Sequence, residues 1–502
     1  MPKRSTATSL TIPPPVNGWN TKDPITEMDQ LYAVEVENYF SNGGTVDFRK
    51  GYRLHVKNVG SGSNVVGTVA ELALQSGTKN LLAISQNNRV YNATSTGSAP
   101  TDLSNAGAIV VDYVSSAVNF RNRIFIKDYI TTHDVYDWDG AAANLNASAF
   151  TGPGGDDKLL CNPQVYKSRL YFTELYSSSF WFGGVDAITG ALTEYDVQSF
   201  LTKGGYILFS GGISKQGDIN QEYFAIISNQ GEVLVYQGDN PTAATWSIVG
   251  HFYMPPPVGF RSFFYWGSNL VIITNQGVVL LSEVLKGSAD LAFLTQNISS
   301  AFNDFFDSLP AESSFTNGVF YPKGNMLIFN LVNSVGTTNQ FVMNTNTGSW
   351  WKWTGINAKH WTVFNDSLYF AGVTTKVFKA DNGYFDEDPA VDGAVQNRTA
   401  KLRPAYNYLG DKTLVKQFTE ARVLLYESEG LSLTVDADVD YANVAATSTL
   451  TDLSDTSYKF YQARCGLKGI GKAASIRFDE TITTKRRSIQ AIEVLYNDGD
   501  VT

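Results

Sequence analysis

The sequence is poor in the residues that most often carry metal or redox chemistry. In 502 residues it has two cysteines, Cys161 and Cys465, and four histidines, His55, His133, His251 and His360. The cysteines lie far apart and match no metal-ligand spacing, so reduced thiols with structural roles are expected rather than a disulfide. The histidines share no His-x-x-x-His or His-carboxylate pattern, which predicts no metal site and no cofactor. No Gly-x-Ser-x-Gly elbow and no Gly-x-x-x-x-Gly-Lys-Ser/Thr phosphate loop occurs. Charged residues are only 17%, with a formal net charge of −10. That balance disfavours nonspecific adhesion to nucleic acid, which needs clustered Lys and Arg, but is compatible with DNA that slides past. No stretch approaches ~20 apolar residues, so no membrane span is expected. The opening MPKRSTATSLTIPPPV lacks an apolar run fit for a signal peptide, and synthesis in a cytosol is the expectation. Asn-x-Ser/Thr triplets such as those at Asn92 and Asn397 then read as chance.

Aromatic residues and glycine are abundant: 30 Phe, 26 Tyr, 9 Trp and 43 Gly. Short aromatic-rich segments separated by Gly and Asn turns point to an all-β chain. From residue 66 the same grammar recurs. A strand arrives, a two-residue polar turn follows, and a strand opening on Arg or Asn returns. A third strand then ends in a tag such as VYDWDG, VYQGDN or VFKADNG. Seven such units begin near residues 66, 114, 164, 205, 262, 318 and 361. All-strand units of about 40 to 50 residues are the pattern of propeller blades, which bury their faces only by stacking in a closed ring. The expectation is a β-propeller of about six to seven blades over 61–385; a large β-sandwich or a β-solenoid is the alternative.

One helix interrupts the pattern at about 290–310. Ile298, Phe302, Phe305, Phe306 and Leu309 share a face at helical spacing, and Pro310 ends it. Past an acidic stretch at 386–393 the strands lengthen: 418–427, 431–441, 457–464, 474–479 and 488–496 alternate along their length. They predict an antiparallel, sandwich-like domain over 386–502.

Residues 1–60 read as an arm and a hairpin. A strand at 33–40 alternates Val34 and Val36 with Glu35 and Glu37. Ser41-Asn42-Gly43-Gly44 turns, and Val46 and Phe48 return opposite Thr45, Asp47 and Arg49. A hairpin alone buries little. It is expected to close the ring by pairing with a late strand, in either a final blade or 418–427. Arg49, Lys50, Tyr52 and Arg53 form a basic-aromatic cluster suited to contacting a subunit or partner; Lys485-Arg486-Arg487 is a second basic patch.

Paired carboxylates are the residues that could do acid–base work on a propeller face. Candidates are Asp137 with Asp139, Asp156 with Asp157, and Asp304 with Asp307. Asp436, Asp438 and Asp440 alternate along one strand and are expected on its wet face. Asp386-Glu387-Asp388 lacks the ordered oxygen spacing of a calcium loop. Trp350, Trp351, Trp353 and Trp361 suit either packing between blades or a sugar platform, with packing the expectation.

Three short motifs in the opening segment carry a resemblance: Gly18-Trp19-Asn20, Glu37-Asn38-Tyr39-Phe40 and Arg49-Lys50-Gly51-Tyr52. In this order the segment resembles the amino-terminal signature of tail nozzle or tail hub (tail tubular) proteins of short-tailed bacteriophages. Echoes occur at 344–350 and 402–418. The resemblance is sharp over about forty residues and diffuse elsewhere. It implies a structural virion protein, not an enzyme, made in the host cytoplasm and assembled as a homo-hexameric ring in the tail. Such a ring lies below the head-to-tail adaptor, docks fibres or a plug, and lets double-stranded DNA pass. The alternatives are a propeller carbohydrate hydrolase or lyase, such as a depolymerase, and a monomeric interaction scaffold.

Overall fold

The computed structural model describes residues 7–60, 62, 64–97, 100–214, 222–288, 293–306, 316–332, 338–372, 374–427, 434–449, 460–482 and 486–498. The chain is all-β in design, as the strand grammar predicts. The first unit folds as Val66–Ala73, Lys79–Ser85, Arg89–Asn92 and Thr101–Asp102, hydrogen-bonded in that order. Its polar turn places Asn88 at φ 60; the matching turns of later units hold Arg121 and Asn122, Lys167 and Ser168, and Asn365 and Asp366 at positive φ. Pairs of left-handed residues match the twist of the strands they join, which is why short polar residues recur there.

The second strand of each blade has neighbouring blades on both faces, so it loses the alternation of a half-exposed strand. Leu81, Leu82, Ala83 and Ile84 are all fully buried, and every residue of Met326–Val332 is buried. Burying one such side chain contributes about 1.5–3 kcal/mol, and only stacking provides it. Separate apolar cores join successive blades around the ring. Leu82 and Ile84 share a core with Ile124 and Ile126, Phe125 and Phe172 both pack on Phe150, and Tyr171 meets Phe224. Farther round, Ile227 shares a core with Ile272, Ile273 with Phe329, and Trp351 with Trp361. Ala83 meets Tyr369, which brings the last blade back to the first. Among the described residues there are thus seven blades, six of them each built from one local stretch of chain.

The seventh is composite. Ala358–Phe364, Ser367–Gly372 and Val377–Ala380 receive their fourth strand, Tyr52–Val56, from the start of the chain, with Ala380 opposite Tyr52 and Val377 opposite Val56. The ring is closed by an amino-terminal strand, but not by the hairpin itself. Asn38, at φ 61, breaks the expected strand in two. Tyr32–Glu37 pairs with Arg398–Pro404, while Tyr39–Asn42 and Thr45–Phe48 make the hairpin. The hairpin pairs with Arg487–Asp498, not with the strand Lys416–Glu427.

The carboxy-terminal strands form two sheets, and the amino-terminal segment contributes to both. One sheet runs Tyr39–Asn42, Thr45–Phe48, Arg487–Asp498, Lys416–Glu427, Phe460–Gly471, with Thr8–Ile12 added along Arg487–Asp498. The other begins in the sixth blade. Its outer strand Trp350–Trp353 passes through Gly18–Trp19 to Tyr32–Glu37, Arg398–Pro404, Ala474–Ile482, Thr434–Val439 and Ala442–Thr449. The described residues of the expected arm, 7–60, are therefore not separate: they are shared between the sandwich and the closing blade.

The predicted helix appears as Ser299–Phe306 after a 3-10 turn, Phe293–Ile298, with Ile298 fully buried. The side chains of Phe302, Phe305 and Phe306, and all of Leu309, lie outside the described residues. A second short helix, Leu281–Leu285, follows the strand Gly277–Leu280, and among the described residues the fifth blade has three strands. Among the described residues no helix is long and apolar enough to cross a membrane.

Candidate functional site: the central cavity and the closing joint

The innermost strands of the blades surround a cavity of about 400 Å³, with Thr68, Ser116, Gln164, Gly318 and His360 among its lining residues. Arg261 enters it just before the fifth blade's first strand, Phe263–Trp266. Its side chain is buried, and neither Nη1 nor Nη2 finds a hydrogen-bond partner among the described residues. Burial lowers its pKa to about 10, against the attraction of the Tyr129 and Asp112 side chains.

The loop carrying Arg261 is held in place. Asn162 donates through Nδ2 to the carbonyls of Phe260 (3.1 Å) and Leu208 (2.7 Å), and its Oδ1 accepts from the Tyr129 hydroxyl at 2.8 Å. The Phe260 ring stacks with Tyr129 and Tyr206 and meets Tyr176 edge-on. His360 is kept neutral: burial, and then the Arg261 charge, hold its pKa well below the usual value. Its Nδ1 lies 3.4 Å from the Val69 N–H. Burial raises the Asp112 carboxyl, partly opposed by the Val114 N–H at 2.9 Å. Burial would also raise Asp128, but Lys127 and hydrogen bonds from the Asp112 N–H and His133 outweigh it, leaving Asp128 below the carboxylate range. Asp128 is 1% exposed, so it orders the loop rather than meeting a ligand. The cavity combines the Arg261 cation with neutral polar groups and with the Glu71 carboxylate, which is paired with Lys79; away from bulk water a charge acts strongly.

The basic-aromatic cluster does not form one surface. Arg49 is 2% exposed; its Nη1 and Nη2 donate to the Asp386 carboxylate at 2.9 and 2.5 Å, and its Nε donates to Asn38 Oδ1 at 2.7 Å. Tyr52 is equally buried, edge-on to Phe370 and Phe378. Both are internal, so only Lys50, 3.3 Å from Asp381, and Arg53, over the Phe385 ring, stay on the surface. Asp386, Phe370 and Phe378, which bury Arg49 and Tyr52, lie more than 300 residues later in the sequence. The second basic patch also divides. Arg486 stays partly exposed near Asp47, Arg487 is buried against Glu480, and Lys485 lies outside the described residues.

The paired carboxylates separate in a similar way. Asp137 is buried against Arg123, with Asp139 on the same guanidinium. Asp157 accepts from Ser148 while its neighbour Asp156 pairs with Lys158 at the surface. Asp304 is exposed and Asp307 lies outside the described residues. Asp436 and Asp438, expected on a wet face, are 8% and 2% exposed. Arg477 spans both, and Arg403 adds to Asp438, so the face is covered and charge-paired; Asp440 alone is exposed. Asp386 is committed to two arginines, and among the described residues no group of three or more His, Cys, Asp or Glu could hold a metal ion. The four tryptophans are at most 4% exposed and pack as core, as the turn pattern predicted. Cys161 is a buried free thiol, its pKa pushed up to about 12 by burial; the Cys465 side chain lies outside the described residues.

No family model and no curated protein sequence matches the chain. Similar solved structures include BBS1N in complex with ARL6DN, at 11% identity and a TM-score of 0.39, covering 66% of this chain and 96% of that one. Another is an exo-beta-1,3-galactanase from Phanerochaete chrysosporium with galactose, at 9% and 0.27, covering 69% and 98%. Likenesses this weak do not bear on function, and the propeller assignment rests on the seven sheets.

Proposed function

We propose that this chain is a structural subunit of the tail of a short-tailed bacteriophage, like the nozzle and hub proteins its opening segment resembles. The observation that carries the reading is where the three motifs meet. Gly18 sits at φ +77 against the Trp350 carbonyl, a place without room for a Cβ, and Gly51 packs equally tightly on the Phe385 backbone. Asn38 accepts from Arg49 Nε and from the Thr354 N–H, and donates to Thr399 O and Thr354 Oγ1. Glycine, asparagine and arginine thus each meet a local need at one joint between the sixth blade, the closing blade and the sandwich. The shared motif is a signature of this two-part architecture and supports a building-block role.

In this reading six copies form a ring below the adaptor, with fibres or a plug docked on it. The DNA path is the hole between copies. A cavity of about 400 Å³ cannot admit a duplex whose major groove alone is about 12 Å wide. A net charge of −10 favours an acidic lumen past which phosphates slide. An image of the assembled particle tests the proposal. Six copies around the tail axis are expected; a tail lacking this chain, or a ring with a predominantly basic wall, would overturn it.

Carbohydrate cleavage is the second reading, favoured by the Asp112 carboxyl, whose pKa burial raises and which lies within the field of Arg261, a lining residue of a cavity of ligand size. Release of oligosaccharides from host polysaccharide by purified protein, lost in Asp112→Asn, would support it; no release from the polysaccharide of a susceptible host would count against it.

A further inference from the structure

From the position of Arg261 we infer that the propeller's central cavity is a binding site for a small oxyanion, whose two oxygens accept from Nη1 and Nη2. Arg261 is 6% exposed, lines a cavity of about 400 Å³, and has two terminal nitrogens without a hydrogen-bond partner among the described residues. Buried guanidinium groups are ordinarily paired, because an isolated charge loses its hydration without compensation. The other deeply buried arginines of this chain follow that rule. Arg49 has Asp386 and Arg487 has Glu480. Arg261 is the exception, and it faces open space rather than packed side chains.

The surroundings favour a ligand over an internal partner. Asp112 reaches Arg261 only through its field, and neither Nη contacts its carboxylate. The Asn162 amide fixes the backbone at Phe260, so the guanidinium is presented by a braced loop instead of a free one. His360 accepts from Val69 at Nδ1, so the neutral ring carries its proton on Nε2 and adds a donor rather than a second charge to the cavity wall. The lining also holds the Glu71 carboxylate, but that group is paired with Lys79 at 3.1 Å and accepts from the Asn365 N–H, so the unpaired fork of Nη1 and Nη2 suits a monoanionic carboxylate or a phosphate.

Thermal melts of the full chain in sodium chloride, sodium acetate and sodium phosphate at matched ionic strength test the site. A ligand that binds only the folded state raises the melting temperature with its concentration. The wild-type protein should gain several degrees in acetate or in phosphate over chloride, and the salt that acts separates a carboxylate site from a phosphate site. Arg261→Met should lose that gain and melt no lower than wild type in chloride, since an uncompensated buried charge has gone. Arg261→Lys keeps the charge without the fork and should retain a smaller gain, which decides the matter if Arg261→Met does not fold. Equal responses of wild type and variants to all three salts would overturn the proposal. So would a structure determined in acetate and in phosphate with only water at Nη1 and Nη2.

Discussion

Arg49 and Asp386, 337 positions apart in sequence, form a two-pronged ion pair with side chains 1% and 2% exposed. Arg398 lies 3.7 Å from the same carboxylate and donates to the Arg49 carbonyl. The pair fastens the end of the hairpin to the residues just beyond the closing blade. Removing one partner of a buried pair strands the other without water. Asp386→Ala would strand two guanidinium groups and should cost about 3–5 kcal/mol by urea unfolding. Arg49→Met should cost less, because Asp386 keeps Arg398. Equal losses for the two variants would show that Arg398 does not share the carboxylate.

Deleting residues 1–55 should destabilise the whole molecule. It removes nearly all of the fourth strand of the seventh blade and strands from both sandwich sheets. Open sheet edges and an unclosed ring leave apolar faces without neighbours. The expected result in a thermal scan is a lower main transition. A truncated chain that melts like the intact one would mean that the closing strand is dispensable.

Gly18→Ala isolates the joint itself. The position combines φ +77 with a Cβ that would run into the Trp350 carbonyl. A non-glycine residue in that region costs about 1–3 kcal/mol, and the backbone contact cannot be relieved by a side-chain rotation. Gly43→Ala, also at positive φ but with open space around it, should cost no more than the backbone strain. A larger loss at Gly18 than at Gly43 in chemical denaturation is the expected outcome.

The propeller was legible in the sequence because each blade is local: strand, two-residue turn and strand lie within one short window. The long alternating strands of the sandwich were legible for the same reason. What joins them was not. The single closing strand Tyr52–Val56 carries Arg53 and His55 and resembles a basic patch until Val377–Ala380 lies beside it. Asn38 reads as one more residue of a continuous strand, since nothing local announces its positive φ. Asp436 and Asp438 alternate as wet-face residues do, and the arginines that cover them, Arg477 some 40 positions on and Arg403 some 35 before, lie on other strands. Arg261 has no sequence signal at all, standing alone in GFRSFFYW; only its burial without a partner marks it.

Acidification should weaken the fold in a defined window. Burial lowers the pKa of both His55 and His360 below the ordinary 6.5. Below pH 6.5 the unfolded chain therefore takes up protons that the folded chain refuses. The contribution is fully present above the unfolded value and is lost as pH falls toward the folded ones, by about 1.4 kcal/mol per pH unit for each histidine. Stability measured between pH 7 and 5 should fall, and His360→Gln should flatten the slope by about one proton. An unchanged slope would place the proton uptake elsewhere.

Lys50 and Arg53 are what remains of the contact surface expected at the end of the hairpin. Lys50 is about half exposed, and its pairing with Asp381 is of the surface kind worth about 0–1 kcal/mol. Arg53 lies over the Phe385 ring, another modest contact. Neither side chain has a large part in folding, which leaves both available to an acidic surface on a neighbouring copy or the adaptor of the proposed assembly. The double variant Lys50→Glu, Arg53→Glu should melt within about 1 kcal/mol of wild type while reducing incorporation into rings or particles, scored by the fraction of assembled protein. Normal assembly of this variant would remove the last members of the cluster from the contact, and the proposed ring would then need the propeller faces or the sandwich for its contacts.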